Sequence, residues 1–346
     1  MHEPHHPHHP QPLPSSPEFH PAPEPDPSPP ALLRTVTGPL APALLDGPVL
    51  PHEHLALDLS RDEDTAAVLG HVHREPVTAE LAALREEYGL SLVVELTCRG
   101  MGRDVRALAE ISGRSGVAVV AATGWYYEQF HPREVGSARV AELAGVLIQD
   151  VDGGLDSTHV LPGVIGEVGS HGDAPSEAEA RTLGAAARAA TATGLSLATH
   201  AQLGRGGLAQ LDLLTEAGLS PHRVSIGHQD LLDEPTVHRE LAAAGAYVAF
   251  DTVGKERYQS DGTRLRLLLA LLEAGHADRV LLSCDVSRYG YLRSEGGSGY
   301  GHLFRSFLPR LRAAGADDDL IDLLTRRNPL RFLTGTASDG RGHEES

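Results

Sequence analysis

Lysine is almost missing from this chain. Of the 29 lysines and arginines among 346 residues, Lys255 is the only lysine. Cysteine is equally scarce: Cys98 and Cys284 each lie inside an apolar run, which excludes a disulfide framework and makes a reducing cytoplasm the simplest setting. Positive charge is outweighed overall. The formal net charge of -18 argues against nucleic acid and anionic membranes as partners. Long apolar runs are absent too, so no membrane span is expected, and the N-terminal stretch has no apolar core flanked by positive charge, so it does not read as a secretory signal.

What is present begins with that stretch. Residues 1–33 are rich in Pro and His with almost no branched apolar side chains. Such a composition cannot bury enough surface to offset the entropy of ordering, so a disordered tail is expected there, with a flexible C-terminal tail over 336–346. Between them, 34–335, short apolar runs alternate with helix-like segments. The runs are 49–55, 91–97, 117–126, 162–170, 195–201, 223–230, 247–254 and 279–285. They are apolar on both faces, as strands between a barrel interior and a helical layer must be. Segments 77–88, 175–193 and 261–274 carry 3.6-residue apolar spacing. Ser176 stands three residues before Glu179, and Gly194, Gly218, Gly245 and Gly275 follow helical runs, all start and stop signals. Eight strands alternating with helices predict a single-domain TIM (β/α)8 barrel; the alternative is an open doubly wound sheet.

A barrel builds its site at the C-terminal ends of its strands. Polar residues interrupt the apolar runs there: His52 and His54 in the first, Glu167 in the fourth, His200 in the fifth, His228 in the sixth and Asp285 in the eighth. Side chains two apart on a strand share a face, so His52 and His54 can converge on one ion while Glu53 points away. Each residue alone reads more simply as structural. Six metal-competent residues on one rim are expected to bind metal. His159, His171, His222 and His302 fall in loops or helix starts and are expected at the surface.

The motifs HEH at 52–54, TCRGMGRD at 97–104, ATGWY at 122–126, GVIGEVG at 163–169, THAQLG at 199–204, GHQD at 227–230, LSCD at 282–285 and RNPLRFL at 327–333 resemble the phosphotriesterase family of the amidohydrolase superfamily. That resemblance implies a two-metal hydrolase, usually with zinc, in which His52, His54 and Asp285 hold the more buried ion and His200 and His228 the more exposed one. Mn, Co or Fe also suit such ligands. A residue of the fourth strand bridges the ions, a carbamylated lysine in some members and a glutamate in others. Here it is Glu167, and Lys255, after the seventh strand, is badly placed to substitute. Family analogy also implies a homodimer.

A water shared by two ions is acidified toward neutrality. The expected mechanism is attack by that hydroxide on a carbonyl or phosphoryl centre, with Asp285 aligning it and carrying its proton to the leaving group. Lys255, Arg288 and Tyr291 follow the last two strands on the same rim, and Tyr126 and Tyr127 follow the third, forming expected substrate walls. Cations and phenols beside a metal pair suit a small anionic substrate. This pattern resembles the family branch that hydrolyses anionic or phosphorylated lactones, with promiscuous phosphotriester turnover. The alternatives are an amidase cleaving an N-acyl bond in an anionic amide and a non-catalytic metal-binding module.

Overall fold

In the computed structural model, residues 32–61 and 64–336 are described, so nearly all of both expected tails lies outside the described residues. The first described element is a short hairpin, Leu33–Thr35 against Gly38–Leu40. Eight parallel strands follow: β1 (Val49–Glu53), β2 (Leu92–Glu95), β3 (Ala118–Thr123), β4 (Val164–Ser170), β5 (Leu197–Ala201), β6 (Val224–Ile226), β7 (Tyr247–Phe250) and β8 (Val280–Leu282). They lie side by side in chain order. Each expected run contains one of them. The ends of the sheet meet where Asp285 N donates to His52 O (3.3 Å) and His52 N donates to Ser283 Oγ (3.2 Å). The fold is a TIM (β/α)8 barrel.

Helices α1 (Arg74–Tyr88), α2 (Val105–Ser115), α3 (Val140–Gly153), α4 (Glu177–Thr193), α5 (Gly207–Glu216), α6 (Pro235–Ala243) and α7 (Asp261–Glu273) fill the intervals, and α8 (Leu308–Ala313) follows β8. The start of α4 shows why the local sequence folds this way. Ser176 Oγ accepts from Glu179 N (3.2 Å), while Glu179 Oε2 accepts from Ser176 N (2.9 Å), a reciprocal cap of two otherwise orphaned amides. Gly194, at φ 74°, ends the helix in a left-handed turn that a glycine adopts without steric cost. No helix among the described residues is long and apolar enough to cross a membrane.

Strand alternation sorts the core into two layers. Leu92, Val94, Val120, Ala122, Tyr247, Ala249 and Leu281 fill the barrel interior, whereas Val93, Val119, Ala121, Val248, Phe250, Val280 and Leu282 pack outward under the helices. Two strands break this alternation. In β1 the inward residue is Val49, yet His52 and His54 also face the axis; the pairing register shifts between Leu50 and Glu53. In β4 the inward residue is Val164, yet Glu167 faces the axis; the register shifts between Ile165 and Val168. A one-residue irregularity reverses which face a strand presents. Both shifts turn metal-competent side chains into the barrel mouth.

Candidate metal centre and cavity

All six predicted ligands come together. His52, His54, Glu167, His200, His228 and Asp285 are each at most 6% exposed. Glu167 stands at their centre: Oε1 is 3.3 Å from His54 Nε2, and Oε2 is 3.5 Å from His52 Nε2, 3.2 Å from His200 Nδ1 and 3.9 Å from His228 Nε2. Asp285 Oδ1 is 3.3 Å from His54 Nε2 and 4.0 Å from His52 Nε2. Two ligand atoms each about 2.1 Å from a tetrahedral ion are about 3.4 Å apart. Several of these gaps match that spacing and are too long for good hydrogen bonds. His228 and Asp285 are in the left-handed region at φ 57° and φ 50°, a conformation that non-glycine residues hold only when their surroundings impose it.

The outer nitrogens of the imidazoles fix which atoms face inward. Asp251, an acceptor-only carboxylate, bonds His52 Nδ1 through Oδ2 (2.7 Å) and His228 Nδ1 through Oδ1 (2.8 Å). The Thr97 hydroxyl donates to Glu95 Oε1, so it must accept from His54 Nδ1, at 2.9 Å. His200 Nε2 donates to Gln202 Oε1 (2.6 Å). With each outer nitrogen donating, each neutral ring turns a lone pair toward Glu167. His200 Nδ1 and His228 Nε2 lie 2.8 Å apart. Two lone pairs at that separation repel unless a cation lies against them. His52 Nε2 and Glu167 Oε2 are buried with no hydrogen-bond partner, so the donor set fits bound metal.

The charged groups of the cluster shift one another's pKa values. Burial opposes charge on His54, but Asp285 and Glu167 outweigh it and push its pKa up to about 9. Burial would raise the pKa of Glu167, yet His52 and its neighbours hold it well below the usual carboxylate range. Burial and the charge of His228 push His200 down. The carboxylates at the centre of the cluster thus favour positive charge on the imidazoles that face them most closely, as on His54.

Asp251 was not among the sequence candidates, although it meets the same criterion: it ends the apolar run YVAF of β7. The expectation for His302 is corrected. It is half-buried, and its Nε2 bonds Asp261 Oδ2 at 2.7 Å, because a helix-start carboxylate in reach offsets the cost of covering the ring.

A cavity of about 680 Å³ opens over the cluster. All the expected wall residues line it: Lys255, Arg288, Tyr291, Tyr126 and Tyr127. They also contact other protein groups. Lys255 Nζ is bound to Asp285 Oδ2 and is 3.3 Å from Ser287 Oγ, and its ammonium is 5.3 Å from the centre of the Tyr291 ring. Arg288 grips Asp64 with both arms, Nη1 at 2.7 Å from Oδ1. Tyr126 Oη is 3.4 Å from His200 Nε2, and Tyr127 stacks on the His200 ring at 5.4 Å between centroids.

A (β/α)8 barrel with imidazoles and carboxylates gathered at its strand ends has the form of a metal-dependent hydrolase. Residues 31–333 match the model of the phosphotriesterase family, and the chain belongs to that family. It is 35% identical to the phosphotriesterase homology protein of Escherichia coli K12 over 287 residues, 83% of this chain and 98% of that protein. The crystal structure of the E. coli protein with phosphate in its active site matches with a TM-score of 0.81, covering 84% of this chain and 99% of that one. N-acetyltaurine hydrolase from Rattus norvegicus is 29% identical over 343 residues, 87% of this chain and 97% of that protein. An organophosphorus hydrolase from Deinococcus radiodurans is 31% identical with a TM-score of 0.77, covering 87% of this chain and 96% of that one. A mutant PTE-like lactonase of the same organism gives the same identity and TM-score. The chain is accordingly a hydrolase of the phosphotriesterase family.

Proposed function

We propose that the chain is a two-metal hydrolase of a small anionic ester, a lactone bearing phosphate or another anionic group being the leading substrate class, with phosphotriester turnover as a side activity. The observation that carries this reading is the convergence of four imidazole lone pairs on Glu167, which supports a shared carboxylate between two cations. His52, His54 and Asp285 would hold one ion, His200 and His228 the other, and Glu167 both; zinc is the first candidate, with Mn, Co or Fe also suited to these donors. The chemistry such ions would supply there is acidification of a water and polarisation of the scissile carbonyl or phosphoryl group.

The chain supplies the rest. Asp285 turns Oδ1 toward His54 and Oδ2 toward Lys255 on the cavity wall, so one carboxylate can hold a proton taken from the attacking water and release it toward the leaving group. Lys255 keeps that carboxylate ionised and aimed; burial disfavours its own charge, but Asp285 raises its pKa. Lys255, Arg288 and Tyr291 form the wall that receives the anionic group of the substrate, Arg288 sharing its fork with Asp64. Tyr126 and Tyr127 cover the His200 side and exclude water.

A second reading, cleavage of an N-acyl amide, is favoured by the 29% identity to N-acetyltaurine hydrolase. The amine leaving group would need the proton that Asp285 carries. A panel of lactones, phosphorylated lactones, N-acyl amides and an aryl phosphotriester separates the two, run on the full chain and on Lys255→Met and Arg288→Met. Preference for an anionic lactone, with KM raised in both variants for anionic but not neutral esters, supports the first reading. Preference for the amide supports the second, and equal effects on charged and neutral substrates would remove the anion wall.

A further inference from the structure

The middle residue of the HEH triplet has no part in the reading above, and it is fully buried. Glu53 points away from the cluster and across the seam between β1 and β8. Its Oε1 accepts from Cys284 N (2.8 Å) and Ser283 Oγ (2.8 Å), and its Oε2 accepts from Val286 N (2.8 Å). The two amides it holds flank Asp285. That residue sits at φ 50° and donates its own amide to His52 O. Ser283 Oγ in turn accepts from His52 N (3.2 Å), and the Tyr300 hydroxyl donates to His54 O (2.7 Å), so the seam locks the backbone on both sides.

We infer that Glu53 is the positioning residue for Asp285: its carboxylate spans the two peptide groups around Asp285, holds that residue in its left-handed turn and so directs Oδ1 to His54 and Oδ2 to Lys255. The inference rests on the two-metal reading and goes beyond it by assigning a role to a residue that touches neither ions nor substrate. The chemistry requires a carboxylate. All the partners of Glu53 here are donors, and a carboxylate is an acceptor only. A glutamine of the same size would set its NH2 against one of those N–H groups. An aspartate is one methylene too short to reach both amides. One strand thus carries both functions, with alternate side chains holding an ion and aiming the carboxylate that joins it.

The test compares Glu53→Gln, Glu53→Asp and Asp285→Asn, alone and with Glu53→Gln combined with Asp285→Asn, each loaded with Co(II). Binding is followed by metal content and visible absorption, and folding by far-UV circular dichroism of the metal-free protein. Outer partners of metal ligands are worth about 10- to 100-fold in metal affinity. Each Glu53 variant is expected to weaken one of the two ions by a factor in that range and to reproduce the altered spectrum of Asp285→Asn. The other ion should stay within about two-fold, and the double variant should bind no worse than Asp285→Asn. Equal weakening of both ions, independent effects in the double variant, or full-strength binding of both ions would overturn the inference. Failure of both Glu53 variants to fold would assign Glu53 to stability alone and overturn it as well. If wild-type protein binds no Co(II) pair at all, the two-metal reading fails instead.

Discussion

At the end of the barrel where the strands begin, Leu33, Leu45, Phe332 and Leu333 close the interior beneath Val49, Tyr247 and Leu281, none more than 6% exposed. At the end where they finish, His52, His54, Glu167, His200, His228, Asp251 and Asp285 are also at most 6% exposed. Burial is equal and the chemistry opposite. Apolar side chains gain on leaving water, roughly 25 cal/mol per Å². Buried ionisable groups lose several kcal/mol each unless partners compensate. The first end is explained by packing alone. The second needs a compensating charge, and its geometry points to metal.

Changes at each end should break this contrast in different ways. Glu167→Ala, which removes the carboxylate at the centre of the four imidazoles, should lower kcat/KM by three orders of magnitude or more, about 4 kcal/mol of barrier, while circular dichroism shows the fold retained. At the opposite end Phe332→Ala should cost about 3–5 kcal/mol in denaturant unfolding, with metal content per folded molecule unchanged. A result with those outcomes exchanged would dissolve the distinction.

His238 sharpens the comparison, being a buried imidazole that lines no cavity over the cluster. Burial pushes its pKa down to about 4. A folded pKa below the unfolded value of about 6.5 means that stability is complete above pH 6.5 and falls as the pH drops toward 4, by up to about 3 kcal/mol. His238→Leu should flatten that part of the unfolding profile; an unchanged slope would place the acid sensitivity elsewhere. A smaller effect is expected from Asp251→Asn, and the smallest from Thr97→Val. The former removes an acceptor shared by His52 and His228, so both ions should weaken by roughly 10- to 100-fold, whereas Thr97→Val should affect the His54 side alone.

Much of this was legible in the sequence because it depends on local pattern. The apolar runs reveal the strands, Ser176 and Gly194 bound α4, and a histidine or carboxylate inside such a run is conspicuous. The register shifts at Leu50–Glu53 and Ile165–Val168 were not legible. They arise from pairing between strands, which no single segment encodes. Asp251 could have been found by the rule that found Glu167, but its two imidazole partners come from β1 and from beyond β6. Lys255 was singled out for its rarity, and its engagement with Asp285 depends on how two loops approach across the mouth. Glu53 was expected to point away from the face that His52 and His54 share, and it does. Its partners lie 230 to 233 residues along the chain, which explains why its role stayed hidden.

The most direct test is elemental analysis of the 346-residue chain beside Glu167→Ala, both purified and dialysed identically so that any metal taken up elsewhere on the chain cancels. The account predicts a difference of two divalent ions per chain. No difference between the two proteins would contradict it.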